Sequence, residues 1–350
     1  MKILVTGSGG LIGSEVSEYF GKKNYKVIGI DNNSRRVFFG NEGDVNWKID
    51  YLKSTLNNYF HYDIDIKNFK EVKYVLEKEK PDAVIHCAAQ PSHDKATSII
   101  LEDFETNSLG TINLLKASYE EIKNSPFIFL STNKVYGDSP NELPLIELDC
   151  RFDFDGDLFK KGINESQRID KTKHSFFGAS KLSADIYVQE FGKYFGMQTC
   201  CLRGGCLTGP SHSGVELHGY LSYLVKCFII QREYKIIGYK GKQVRDNIHS
   251  RDVSIFIDQF LNSPKSGVVY NIGGGYENSC SIIEAINILT EKEKNKMNFT
   301  YSKDNRIGDH ICYYSDLSNI KKDFPNWSIT IPLNEIFDEL IFSWKKKADK

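Results

Sequence analysis

The feature that most constrains the fold of this chain is a glycine-rich turn close to its first residue. Gly7, Gly10 and Gly13 are spaced as G-x-x-G-x-x-G, after an apolar strand pattern over Lys2–Thr6 and at the start of a helical pattern over residues 11–22. Such glycines allow a tight turn, close approach of the backbone to a pyrophosphate, and close packing of helix on strand. The free N–H groups of the helix then face the anion. The pattern predicts a dinucleotide-binding βαβ unit.

A second strand pattern, Lys26–Asp31, ends in an acidic residue. Asp31 follows Gly13 by 18 residues. A carboxylate at this place accepts hydrogen bonds from ribose hydroxyls and repels a 2′-phosphate, so the sequence favours NAD over NADP. Arg35 and Arg36 stand close by, and they leave NADP open as the alternative.

The order of strand and helix patterns predicts the fold class. Apolar runs alternate with amphipathic stretches, the strands at Lys2–Thr6, Lys26–Asp31, Ala83–Ala88 and Phe127–Ser131, the helices near 11–22, 66–79 and 108–124. This alternation is typical of an α/β fold with a doubly wound parallel (Rossmann) sheet. We predict an NAD-binding domain over residues 1–205, with an insertion at 139–172 and further strands supplied from 240–275. Residues 206–350 are predicted to be mainly a smaller substrate-binding region.

Composition and charge argue against several functions. The 45 Lys and Arg residues against 46 Asp and Glu leave a formal charge of −1, without the basic excess that nucleic acids or anionic membranes require. The apolar stretches are all well short of the ~20 residues that cross a bilayer, and the first residues do not resemble a secretory signal, so we expect a cytoplasmic protein. The eight cysteines include no C-x-x-C pair and indicate reduced thiols.

Motifs further along the chain resemble the extended short-chain dehydrogenase/reductase family of nucleotide-sugar epimerases and dehydratases. The similarity extends from residue 1 to about residue 340, and it rests on the segments Ser131–Asp138, Asn164–Ser166, His174–Ser175, Gly178–Lys181, Ala184–Asp185 and Gly241–Asp246. Segment Ser131–Asp138 resembles that of the branch of CDP-tyvelose (CDP-paratose) 2-epimerases.

The resemblance implies an NAD-dependent isomerase that inverts C2 of a CDP-linked hexose or deoxyhexose through a transient keto sugar. It also implies a homodimer or homotetramer. Two alternatives stay open: another nucleotide-sugar enzyme, such as a 4-epimerase or decarboxylase, and a catalytically silent protein that binds NAD and a sugar nucleotide.

The family's usual base is the tyrosine of a Y-x-x-x-K motif, with its pKa lowered by the lysine and a Ser or Thr nearby. By position, the resemblance assigns the hydroxyl to Thr132 and the lysine to Lys181, but Phe177 occupies the place of the tyrosine. A phenyl ring cannot accept a proton. The candidates for replacing the base are Lys134, Cys206, His174 and Tyr136, of which we favour Lys134 and Cys206.

The two positions after Thr132 distinguish epimerisation from dehydration. The family's 4,6-dehydratases carry two carboxylates there, which serve as acid and base in the loss of water. This chain has Asn133 and Lys134 instead. The sequence therefore favours epimerisation without elimination.

The turn pattern and the resemblance together give the remaining site predictions. The predicted cofactor contacts are Gly7, Gly10, Leu11, Ile12, Gly13, Asp31, Asn32, Arg36, Asp63, Ile64, Ala88, Ala89, Gln90, Asn107 and Lys181. The predicted substrate contacts are Thr132, Asn133, Gly204, Cys206, His218, Arg245, Arg306 and Asp309, with the two arginines at family positions that hold a diphosphate. A metal site at the pair His212 and His218, beside Glu216, is not predicted, because the segment offers no third clear ligand at zinc spacing.

Overall fold

A computed structural model describes residues 1–156, 160–216, 218–303 and 308–348 of the chain. Its strands are β1 (Lys2–Thr6), β2 (Lys26–Ile30), β3 (Tyr59–Tyr62), β4 (Ala83–His86), β5 (Phe127–Thr132), β6 (Leu145–Glu147), β7 (Phe152–Phe154), β8 (Thr199–Gly204), β9 (Cys206–Thr208), β10 (Tyr234–Ile237), β11 (Val244–His249), β12 (Val268–Ile272), β13 (Ser279–Ser281), β14 (Phe299–Ser302) and β15 (Cys312–Tyr313).

The helices lie mostly between consecutive strands, as crossovers of a parallel sheet require. They are α1 (Leu11–Lys22), α2 (Ser34–Phe39), α3 (Asn46–Thr55), α4 (Phe69–Glu79), α5 (His93–Ala96), α6 (Ile100–Phe104), α7 (Gly110–Ile122), α8 (Ser175–Phe195), α9 (Tyr220–Ile229), α10 (Ser250–Asn262), α11 (Ile282–Glu293), α12 (Ser318–Asp323) and α13 (Leu333–Ala348). Among the described residues, no helix is long and apolar enough to cross a membrane.

The central sheet has seven strands in the order β12-β8-β5-β4-β1-β2-β3, and every pairing in it is parallel. Alternate residues of β1 are buried on opposite faces. Ile3 and Val5 pack with α1 and α10 on one face, and Leu4 packs with α4 and α7 on the other. Because helices cover both faces, the strands are apolar along their length. The predicted doubly wound parallel sheet is confirmed.

The strand order reverses between β1 and β4, because the chain builds the sheet outward from β1 to β3 and then returns to the other side of β1. Ligands of doubly wound sheets bind in the crevice at such a reversal. Here the two strand ends approach each other closely. Gly7 has a φ of +66°, and a Cβ on it would lie 2.7 Å from the backbone nitrogen of Ala88.

The second region of the fold is built on its own apolar core. A smaller sheet joins β13, β11 and β15, with β9 beside β11, and β10 pairs with β14. Helices α9, α11 and α13 pack together over β10 and β13. One strand from the second half of the sequence, β12, returns to the central sheet beside β8. The predicted insertion at 139–172 contains the antiparallel hairpin β6–β7. The division into two domains at residue 205 stays a prediction.

A buried ion pair fixes α8 against the central sheet. Asp185 of α8 is fully buried, and its carboxylate accepts hydrogen bonds from Arg203 Nη2 at 2.9 Å, Arg203 Nε at 3.2 Å and Ser131 Oγ at 2.5 Å. Arg203 also donates to the Tyr136 hydroxyl at 3.3 Å. The pair therefore ties the helix to the carboxyl ends of both β5 and β8.

We expect Asp185→Ala to destabilise the protein by about 3–5 kcal/mol, because it leaves the Arg203 guanidinium buried without its carboxylate. Denaturant unfolding followed by circular dichroism measures the change. As a control, Glu142→Ala removes an exposed ion pair with Arg168 and should cost less than about 0.5 kcal/mol. Equal effects of the two substitutions would contradict the role of the buried pair.

Candidate active site

A cavity of about 450 Å³ extends from the glycine turn after β1 to the small sheet of the second region. The predicted cofactor contacts that line it are Gly7, Gly10, Leu11, Ile12, Gly13, Asp31, Asn32, Ile64, Ala88, Ala89 and Lys181. The predicted substrate contacts that line it are Thr132, Asn133, Gly204, Cys206, His218, Arg245 and Asp309. Arg306 lies outside the described residues. The fold thus brings most of the two predicted sets into one cleft.

The glycine turn leaves room for a phosphate group on one side only. On the protein side, a Cβ on Gly13 would lie 2.0 Å from the carbonyl oxygen of Gly7. A Cβ on Gly10 would meet only that same oxygen, at 3.3 Å, so this face of the turn opens into the cavity. Gly10 directly precedes α1, whose first N–H groups have no carbonyl partner within the helix. The turn therefore fits a pyrophosphate at the helix terminus.

Asp31 stands at the end of β2, where a ribose of the dinucleotide would lie. Its carboxylate accepts hydrogen bonds from the backbone nitrogens of Gly9 at 2.9 Å and Asn33 at 2.8 Å. Burial raises the pKa of Asp31, and these two hydrogen bonds oppose that rise. Each carboxylate oxygen keeps a lone pair for a ribose hydroxyl.

The two arginines after Asp31 take different positions. Arg36 is half exposed, lies 3.8 Å from Asp44, and is not part of the cavity wall. Arg35, which was not among the predicted contacts, does line the cavity, and burial lowers its pKa to about 10. Its guanidinium donates to the carbonyl oxygen of Ser213 at 2.7 Å and lies 3.2 Å from His218 Nδ1. Arg35 therefore connects the cofactor side of the cleft to the loop before α9.

Three predicted cofactor contacts lie beside or behind the cavity wall. Asp65 and Ile66 line the cavity with Ile64, whereas Asp63 does not. Gln90 and Asn107 are buried behind the wall, where the Gln90 backbone nitrogen donates to Asn107 Oδ1 at 2.9 Å. Asn107 Nδ2 donates in turn to Ser180 Oγ at 3.1 Å, so this pair supports the wall from α8.

Lys181 lies at the centre of the cleft, buried between β5 and α8. Its Nζ donates to the carbonyl oxygen of Leu130 at 2.7 Å and lies 4.0 Å above the centre of the Phe129 ring. Burial lowers the pKa of Lys181 to about 8. Phe177, one helical turn earlier, is only 8% exposed and also lines the cavity. The structure thus puts an apolar ring where the resemblance leads one to expect a tyrosine.

Lys134, Asp309 and Arg245 form a buried cluster of two cations and one anion. Asp309 Oδ1 accepts from Lys134 Nζ at 2.8 Å and from Arg245 Nη2 at 2.7 Å. Burial alone would raise the pKa of Asp309, but the two cations hold it well below its usual range. Burial lowers the pKa of Lys134, and the pairing with Asp309 opposes that fall. Two basic side chains around one carboxylate suit an anionic group of a substrate.

The other candidate bases are protonated or occupied. Burial raises the pKa of the Cys206 thiol to about 12, so at neutral pH it holds its proton. The Tyr136 hydroxyl donates to Asn271 Oδ1 at 2.7 Å, and burial raises its pKa further from neutrality. His174 Nε2 lies 3.0 Å from the carbonyl oxygen of Val135 and is engaged there. Thr132 accepts from the Lys134 backbone nitrogen at 3.2 Å and faces the cavity.

His212 and His218 pair across the loop before α9. His212 Nε2 lies 3.4 Å from His218 Nδ1, and burial lowers the pKa of His212 to about 3 and that of His218 well below its usual value. Both imidazoles are neutral in this environment. In the part of the chain that the structure describes, no group of three or more His, Cys, Asp or Glu residues is placed to hold a metal.

Some polar atoms in the cavity wall have no hydrogen-bond partner within the protein. They belong to His93, Thr208, His212 and Gln243. Buried polar atoms are normally satisfied, so unpaired atoms that face a cleft indicate a ligand that would pair with them. His93 and Gln243 were not predicted. Gln243 does lie in the segment Gly241–Asp246, on which the resemblance rests, and that segment was the signal that could have found it.

Comparisons with known proteins identify the family of the chain. A family model described as "NAD dependent epimerase/dehydratase family" matches residues 3–273. The CDP-paratose 2-epimerase of Salmonella typhi is 30% identical over 335 residues, which cover 94% of this chain and 94% of that protein. The dTDP-glucose 4,6-dehydratase of Salmonella typhimurium is 27% identical, and the match covers 92% of this chain and 87% of that protein.

Among solved structures, the UDP-glucuronic acid 4-epimerase of Bacillus cereus, in complex with UDP-glucuronic acid and NAD, superposes with a TM-score of 0.81. It is 23% identical, and the superposition covers 99% of this chain and 100% of that one. At this identity the likeness concerns the fold alone. The family match confirms the predicted resemblance and the predicted NAD cofactor.

We expect Asp31→Asn to reduce the preference for NAD over NADP by about tenfold or more, because the amide no longer repels a 2′-phosphate. Titration of the purified protein with each dinucleotide gives the two affinities. Asp63→Asn is the matched control, since Asp63 lies outside the cavity wall and should leave the preference unchanged. An unchanged preference in Asp31→Asn would move the ribose contact to another residue.

Proposed function

The chain belongs to the NAD dependent epimerase/dehydratase family, and from that premise we propose that it epimerises a nucleotide-linked sugar, with C2 of a CDP-linked hexose or deoxyhexose as the inverted centre. The observation that carries the proposal is the single cleft that holds both halves of such a site. At one end lie the glycine turn and Asp31, and at the other lies the cationic cluster of Lys134, Asp309 and Arg245. Lys181 and Thr132 lie between these ends.

The residues of the first half fit the cofactor. The turn from Gly7 to Gly13 would hold the pyrophosphate, Asp31 a ribose, and Lys181 the ribose at the nicotinamide end. When bound, NAD supplies an acceptor for a hydride and returns it later. The residues of the chain would exclude water from the reacting carbon and hold it in position. They would also accept the hydroxyl proton and return it.

The residues of the second half fit a diphosphate. Arg245 and Lys134 are both buried, and one carboxylate, Asp309, neutralises only one of them. A buried surplus cation is costly unless an anion accompanies it. A nucleoside diphosphate sugar brings two negative charges to this end of the cleft.

Epimerisation is favoured over dehydration by the residues after Thr132. Loss of water needs an acid and a base close to the sugar, and the two positions hold Asn133 and Lys134. Lys134 is paired with Asp309 at 2.8 Å, so its amino group is engaged there. The choice of C2 and of a CDP-sugar rests on the CDP-paratose 2-epimerase of Salmonella typhi, which covers nearly the whole chain.

Phe177 supports a second candidate, a protein that binds NAD and a sugar nucleotide without turning them over. The phenyl ring is buried in the cavity wall and cannot exchange a proton. In this case the cleft would sense or store its ligands. Turnover by the purified protein separates the two functions.

The test is incubation of the purified protein with CDP-, UDP- and GDP-linked hexoses and deoxyhexoses. We expect a new C2 epimer of a CDP-sugar by NMR, with at most a transient absorbance of reduced nicotinamide at substoichiometric level. Inversion at another carbon, or of a UDP-sugar, would replace the finer assignment. Unchanged sugars with NAD retained would favour the silent binder, and net accumulation of NADH would indicate a dehydrogenase.

We also propose that two copies of the chain pair through α8. Its outward face carries the exposed side chains of Phe176, Ile186 and Tyr187, and the adjoining α6 exposes Leu101 and Phe104. A helix of 21 residues is roughly 30 Å long, so pairing with its own copy across a twofold axis would cover these apolar side chains. Exposed apolar side chains gathered in this way are typical of an interface.

The double substitution Ile186→Glu/Tyr187→Glu should convert the dimer to a monomer, because it places four like charges at the twofold axis. Sedimentation velocity over a range of micromolar concentrations measures the change. Tyr74→Glu, at a similarly exposed tyrosine of α4, is the control and should stay dimeric. A wild-type monomer, or a dimeric double variant, would contradict this interface.

A further inference from the structure

The proposed epimerisation needs a group that takes a proton from a sugar hydroxyl, and the groups predicted for that task are engaged elsewhere. Phe177 has no proton to exchange. Lys134 Nζ is engaged by Asp309 at 2.8 Å, and Cys206 keeps its thiol proton because burial raises its pKa to about 12. Lys181 directs its ammonium group to the carbonyl oxygen of Leu130. The wall of the cleft must therefore supply another group.

His93 lies in that wall without an assigned role. It is the first residue of α5, the short helix that follows β4 beyond the crevice, and it lines the cavity together with Phe177. α5 packs against α8, the helix that carries Phe177 and Lys181. The Nε2 atom of His93 is buried and has no hydrogen-bond partner in the protein.

The surroundings of His93 place it at the substrate end of the cleft. A Cβ on Gly308 would lie 3.3 Å from His93 Nε2. The carbonyl oxygen of the same glycine is 3.3 Å from Lys134 Nζ. His93 and the cationic cluster therefore border one glycine, which sets the imidazole beside the position proposed for the diphosphate sugar.

The neighbouring carboxylate determines which nitrogen of His93 is free. His93 Nδ1 lies 3.1 Å from Asp94 Oδ1, a distance at which Nδ1–H donates to the carboxylate. With the proton on Nδ1, Nε2 carries the lone pair, in a side chain that lines the cavity. A carboxylate that holds an imidazole in one tautomer is the arrangement by which histidine serves as a base.

We propose that His93 is the general base and acid of this site, in the role that Phe177 cannot fill; the inference rests on the proposed epimerase function. Nε2 takes the proton of the sugar hydroxyl as the carbon gives up its hydride, so the C–O bond becomes a carbonyl and the sugar loses two electrons. A bound NAD would supply the acceptor for that hydride. On return, the hydride attacks the opposite face of the carbonyl carbon, and His93 gives the proton back to the oxygen, so atoms and electrons balance.

The test is His93→Gln, which keeps a polar side chain of similar length but cannot exchange a proton at this position. We expect kcat for the epimerised sugar to fall by about 10²–10⁴-fold, the usual contribution of a general base. The affinities for CDP and for NAD, measured by calorimetry, should not change. His61→Gln is the matched control, since His61 is half-buried beside Tyr59 and does not line the cavity; it should keep wild-type turnover.

A second variant separates chemistry from folding. In His93→Gln/Phe177→Tyr, a phenol stands one helical turn before Lys181, and we expect turnover to rise at least about tenfold above that of His93→Gln. If His93 only supported the fold, a tyrosine introduced at residue 177 would not restore turnover.

Asp94 is a positioning residue. Asp94→Asn should shift the His93 tautomer, seen in ¹⁵N chemical shifts, and lower kcat with KM unchanged.

The outcomes also distinguish this inference from the proposed function. If the wild-type protein converts no sugar, the epimerase proposal itself fails. If the wild-type protein is active and His93→Gln is equally active, the role of His93 is overturned while the epimerase stands. Loss of CDP or NAD affinity in His93→Gln, with no recovery in the double variant, would likewise overturn it in favour of a structural histidine.

Discussion

The geometry of the cleft depends on the buried ion pair between Asp185 and Arg203. Because both side chains are almost fully buried, the pair is stable only while its geometry is kept, and removal of either partner is strongly destabilising. Asp185 and Lys181 are one helical turn apart on the same face of α8. The ion pair that fixes α8 on the sheet thus also fixes the lysine below the end of β5, where its Nζ reaches the carbonyl oxygen of Leu130.

The second constraint is electrostatic, and it joins residues that are far apart in the sequence. Lys134, Arg245 and Asp309 come from the end of β5, from β11 and from the segment before β15, and they meet at distances of 2.7–2.8 Å. Their surplus positive charge and the negative charge of Asp31 stand at opposite ends of one cavity. The two ends of the cleft therefore differ in charge, and one end suits a ribose while the other suits a phosphate.

Local patterns of the sequence predicted the part of this arrangement that is itself local. The glycine turn, Asp31 and helices α1 and α7 follow from spacing within short segments, and the structure has α4 at Phe69–Glu79 where the pattern indicated 66–79. Strand β3 was not predicted, because an edge strand with partly exposed residues shows little apolar periodicity. Arg35 and His93 were missed as site residues, and the pairing of Lys134 and Arg245 on Asp309 was not foreseen, since these depend on contacts between distant segments.

The phenylalanine at position 177 changes what the remaining lysine can do. Beside a tyrosine, a lysine of this motif lowers the pKa of the phenol. Here the lysine has an apolar ring on one side and the Phe129 ring 4.0 Å away on another, and burial lowers its own pKa to about 8. Its remaining hydrogen bond, to Leu130, leaves it two donors for a ribose. Lys181 is thereby suited to hold the cofactor, which agrees with proton transfer by a separate group, His93 of α5, the helix packed against α8.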